Sequence, residues 1–129
     1  MSTGELHLVL GWIMMFLGVV VGAIMGLFFH QDSWAGGYAS FRRRMLRLAH
    51  VSFFGIGFIN LLYGLTLQVI DIKPVLAIIA SRGFLVGGLL MPTVCFLTAW
   101  KTTFRHLFPI PVIGVLIGIT SLLMGWALL

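Results

Sequence analysis

The sequence predicts an all-α integral membrane protein: four transmembrane helices in an up-down bundle, with both termini on the same, non-cytoplasmic side. Three observations carry this. Hydrophobic residues make up 60% of the 129-residue chain and charged residues 9%, against about 25% charged in an ordinary soluble domain. The apolar residues fall in four runs, near 6–29, 48–70, 75–100 and 108–129, each long enough for the roughly 20 residues that cross a bilayer as a helix. The basic residues gather in two of the loops.

The same arithmetic excludes several classes. Eleven charged side chains cannot build a soluble surface on a chain this apolar. A disordered tail and a coiled coil are excluded with it. The net charge of +5 would suggest nucleic acid in a soluble protein. Here the cations sit in loops, where they set topology, and no nucleic-acid partner is expected. The single cysteine, Cys95, lies inside an apolar run and reads as a small buried hydrophobe.

The first run, 6–29, has Glu5 as its first charge, no small-residue cleavage site and too long an apolar stretch for a signal peptide. It reads as a retained first helix. The loop that follows carries Gly36–Gly37, a turn signal, and then FRRRMLRLAH, an amphipathic lead-in to the second helix. The second loop is a tight DIKP turn in which Pro74 suits a helix start. Pro92 should kink the third helix, because it has no N–H for the carbonyl of Gly88. Pro109 and Pro111 open the fourth. No linker divides the chain, so residues 1–129 form one four-helix domain.

Orientation follows from charge. Arg42, Arg43, Arg44 and Arg47 lie in the first loop, and Lys101 and Arg105 in the third. The other side has Lys73, and Arg82 if it reaches that interface. The positive-inside bias puts the first and third loops in the cytoplasm. The expected location is a bacterial inner membrane.

Glycines recur at helical spacing: Gly11, Gly18, Gly22 and Gly26 in the first helix, Gly83 and Gly87 in the third, Gly114, Gly118 and Gly125 in the fourth. Small residues let helix backbones approach where lipid supplies no hydrophobic drive. These faces either pack the bundle or meet other membrane subunits, a second copy or a flat cofactor.

Polar groups within the spans are few, and each is a functional hint. His30, His50 and His106 share one membrane boundary, whereas His7 stands alone on the other. Two imidazoles at similar depth are what a haem b needs. His50 is the leading candidate ligand, with His30 or His106 as its partner. His50, Gly57 and Gly64 recur every seven residues, a stripe against which a porphyrin could lie. Arg43 and Arg47 would pair with propionates, and Phe28, Phe29, Phe53 and Phe54 would wall the site. The three histidines could alternatively hold a metal ion directly. Arg82 either snorkels to the outer interface or faces inward, toward Glu5, Asp71 or a ligand group such as a propionate or a quinone headgroup.

No span carries an acid apart from terminal Glu5 and Asp71, and no nucleophile–base pair or phosphate loop occurs. An enzyme acting on its own is not expected. The expected function is a small membrane subunit of a larger redox or respiratory complex, ligating haem b or contacting quinone. The alternatives are a small oligomeric transporter or channel, and a structural assembly subunit without a cofactor.

Overall fold

The computed structural model describes residues 1–128, and all regular secondary structure among them is helical. Four helices are long and apolar enough to cross a membrane: α1 (Thr3–Phe28), α2 (Phe41–Val69), α3 (Pro74–Trp100) and α4 (Pro109–Ala127). Two 3₁₀ turns, Trp34–Gly36 and Thr102–Leu107, lie in the first and third connections.

Local chemistry sets the ends. Ser2 caps α1 by accepting from the Glu5 N–H at 3.2 Å, and the Glu5 carboxylate accepts from the Ser2 N–H at 2.7 Å. This reciprocal box satisfies two otherwise orphaned donors. Pro74 and Pro109 begin α3 and α4, where a missing N–H costs nothing. The first connection turns through Ala35, Gly36 and Gly37, all at positive φ, and Ser40 Oγ then donates to the Ala35 carbonyl at 2.7 Å.

Ser40 also caps α2, so this helix starts at Phe41, seven residues before the apolar run at 48. Hydropathy marks the part of a helix that suits lipid. It does not mark the helix itself, and Arg, Met and Leu in FRRRMLR are good helix formers. α3 continues through Pro92 as one helix. The Thr93 hydroxyl beside it donates to the Leu89 carbonyl at 2.6 Å.

The helices pack in chain order. α1 lies on α2, α2 on α3 and α3 on α4, while α1 touches α3 only briefly. Two glycine seams hold the outer pairs. In the first, a Cβ added at Gly4 would lie 3.2 Å from the Gly64 carbonyl, and one at Gly11 would lie 2.8 Å from that of Gly57. In the second, a Cβ at Gly83 would strike the Gly114 carbonyl and the Gly118 backbone, and one at Gly87 would strike Val115. The glycine faces of α1, α3 and α4 are therefore used inside the chain. Gly26 is the exception, with open space where its side chain would be.

Candidate functional site

α1 and α2 meet near the arginine side around one imidazole. His50, nine residues into α2, is held between Gly22 and Phe54. A Cβ at Gly22 would come within 2.5 Å of His50 Cε1, and the Phe54 ring stands edge-on at 5.3 Å. His50 Nδ1 lies 2.9 Å from the Gly18 carbonyl. A carbonyl only accepts, so Nδ1 carries the proton. In the neutral ring Nε2 is then a bare acceptor, and it has no hydrogen-bond partner among the described residues. His50 lines a cavity of about 350 Å³, together with Gly22, Met25, Gly26, Phe29, Arg47 and Val51. The open space at Gly26 is part of it.

Arg47 is exposed and makes only a long contact, 3.5 Å, to the Tyr38 carbonyl. Arg43 has a different place. It is fully buried, its guanidinium lying 3.8 Å from the Tyr38 ring centroid, 4.6 Å from Phe29 and 5.4 Å from Trp34. It donates to the Phe29 carbonyl at 2.7 Å and to that of Gln31 at 3.4 Å. Three aromatic faces and two carbonyls at the end of α1 take up its charge, so Arg43 closes the first connection and lines no part of the His50 cavity.

The remaining histidines are not brought to this point. His30 and His106 are exposed, on the two connections, and neither lines the cavity. Among the described residues no group of three His, Cys, Asp or Glu side chains comes together to hold a metal ion. The stripe of Gly57 and Gly64 below His50 is also occupied. Gly57 faces the Gly11 carbonyl and Met15, and Gly64 faces the Gly4 carbonyl and Leu8. A flat group cannot lie there, because α1 already does. Of the phenylalanines expected as walls, Phe29 lines the cavity and Phe54 holds the ring. Phe28 stacks on Trp34, and Phe53 packs against Phe96.

A second polar site lies near the opposite end. His7 is fully buried. Its Nδ1 is 2.6 Å from Asn60 Oδ1 and its Nε2 is 2.8 Å from Ser81 Oγ. Asn60 Nδ2 donates to the Ile56 carbonyl at 2.9 Å, which turns Oδ1 toward His7. Nδ1 therefore donates to Asn60, and Nε2 accepts from the Ser81 hydroxyl. Tyr63 stands edge-on to the ring at 4.7 Å, and its hydroxyl donates to the Ala77 carbonyl. Phe84 closes the other side at 6.5 Å. Both nitrogens are satisfied, and one side chain ties α1 to α2 and α3.

Arg82 is exposed on the outer face of α3. Glu5 is engaged in the α1 cap, and Arg82 has no hydrogen-bonded partner among the described residues. It lines a groove between α3 and α4 of about 410 Å³.

Comparison with known protein families, curated proteins and solved structures gives no match for this chain.

Proposed function

We propose that the chain is a small membrane subunit of a larger redox complex and that its His50 cavity takes a lipid-soluble redox group. In this reading it sits in a bacterial inner membrane with the arginine side cytoplasmic and both termini opposite. The observation that carries the site is the state of His50. Its Nδ1–H is tied to the Gly18 carbonyl, and its Nε2 is unpartnered beside a cavity. A hydrogen bond from the far nitrogen is what orients a ligating histidine. The closed network around His7 offers no such free nitrogen.

Haem b is the first form of that group. His30 and His106 do not line the cavity, so the second axial ligand is assigned to another chain of the complex. Arg47 would balance a propionate. Arg47 also favours a second form, a quinone headgroup. Its guanidinium can donate to a carbonyl, while His50 Nε2 accepts from a hydroxyl.

The test is a visible-range spectrum of the complex extracted in mild detergent, from the parent strain and from His50→Ala. Loss of a haem b band, with the chain still present, is the expected result. A parent complex with no haem, whose quinone reduction is also unchanged by His50→Ala, would overturn the assignment and leave a purely structural subunit.

A further inference from the structure

The α3–α4 groove joins an exposed cation, Arg82, to an apolar trough. Arg82 lies eight residues past Pro74 in a helix of 27 residues. At about 1.5 Å per residue α3 is about 40 Å long, so it overhangs a hydrocarbon layer of about 30 Å by about 5 Å at each end. The Arg82 Cα, about 12 Å from the start of α3, then lies about 7 Å below the outer boundary. An extended arginine spans that depth, so its guanidinium reaches the headgroup level while its stem stays in the apolar layer.

The groove runs deeper from there. Gly83 meets the backbone of Gly114 and Gly118, which puts Arg82 level with Ile117. Ile113 and Ile110 lie one and two turns further in, and Val86 faces them across the groove. Gly83 and Gly114 form the floor. Their seam draws the helices close and leaves a shallow channel between the flanking isoleucines. Among the described residues no acid neutralises the cation: Glu5 caps α1, Asp32 is in the connection at the far end, and Asp71 stands in the α2–α3 turn.

A cation at headgroup depth with an apolar channel running inward from it matches the two parts of a phospholipid. We infer that this groove binds an anionic phospholipid of the outer leaflet, its phosphate on Arg82 and one acyl chain along Val86, Ile113 and Ile110. The inference rests on the proposed residence in a bilayer, and it is independent of the redox group at His50. A partner helix would have to carry a carboxylate placed for this one cation and an apolar face shaped to the channel, whereas an anionic phospholipid brings a phosphate at headgroup level and an acyl chain below it in any case.

The test is photo-crosslinking of the full chain in vesicles with phosphatidylglycerol that carries a diazirine on one acyl chain, with sites mapped by mass spectrometry. The expected adducts lie on the peptides of Val86 and Ile110–Ile117. Arg82→Gln should lower their yield about fivefold, the effect of one cation near an anionic headgroup, and Arg82→Lys should retain most of it. Adducts near Arg42, Arg44 and Lys101 should persist in Arg82→Gln and so report an intact, inserted chain. Ile113→Trp, which fills the channel and keeps the charge, should also lose the groove adducts. Equal groove labelling in parent and Arg82→Gln would overturn the inference. So would equal labelling by the matching phosphatidylcholine probe. Recovery from native membranes of an acidic polypeptide cross-linked at Arg82 in place of lipid would overturn it in favour of a protein partner. Failure of the chain to insert at all would instead refute bilayer residence, and the persistent adducts separate that outcome from loss of the site.

Discussion

Removing the His7 ring tests whether a single buried imidazole holds three helices together. His7→Ala deletes two hydrogen bonds, at 2.6 Å to Asn60 and 2.8 Å to Ser81. Interhelical bonds of this kind average about 0.6 kcal/mol and reach about 1.7 kcal/mol in membrane proteins, so the pair contributes about 1–3 kcal/mol. The ring also fills the space between Tyr63 and Phe84. The vacated volume adds to the loss, and the expected total is about 2–4 kcal/mol. The assay is loss of helicity against the mole fraction of dodecyl sulfate in mixed micelles, for the parent, His7→Ala, Asn60→Ala and the double variant. If the 2.6 Å bond is made, the double variant costs less than the sum of the singles by about 0.6–1.7 kcal/mol. Single effects that add to within about 0.3 kcal/mol would refute the bond. A His7→Ala variant within about 0.5 kcal/mol of the parent would refute the clamp as a whole.

Other outcomes follow from the same geometry. Gly83→Ala forces a methyl group onto the α4 backbone and should cost about 1–3 kcal/mol, whereas Gly26→Ala meets open space and should lie within about 0.5 kcal/mol of the parent in the same unfolding assay. Gly22→Leu drives a side chain into His50. It should break the Gly18 bond, visible as an altered imidazole signal in NMR, and it should remove any His50-dependent spectrum. Arg43→Lys keeps the charge and loses the planar stack on Tyr38, so it should destabilise by about 1–2 kcal/mol in micelles. Reporter fusions after Leu129 should read non-cytoplasmic, and a cytoplasmic reading would invert the proposed orientation.

The four helices were legible because composition and run length act on whole segments. Twenty apolar residues leave the backbone few alternatives to a helix. The start of α2 was not legible from the same signal. FRRRMLR is helical through propensity and the Ser40 cap, and neither registers as hydropathy. The glycine seams were visible as spacing, but their partners were not. Gly57 and Gly64 belong to α2, and only the register of α1 shows that Gly11 and Gly4 fill the space beside them. A stripe of small residues marks a close approach without saying what approaches.

The candidate site divides on the same point. His50 stood out because arginines and phenylalanines surround it in sequence, yet those neighbours go different ways. Arg43 turns back to close the connection, and His30 and His106 stay on the surface. His7 reads in the sequence as a lone residue near a helix end, although a local signal is present. The buried residues Gly4, His7, Gly11, Met14 and Gly18 alternate in steps of three and four, the seam spacing of packed helices, with His7 as the polar member. Asn60 and Ser81 are polar residues inside otherwise apolar runs, and a buried imidazole must find such partners. What separates the two histidines chemically is the count of nitrogens left over. His7 shares both of its nitrogens with this chain and so fixes the packing of three helices. His50 shares one and keeps the other beside a cavity. A polar group with every bond made inside its own chain has nothing to offer a ligand, so the half-satisfied imidazole is the better place to look for function.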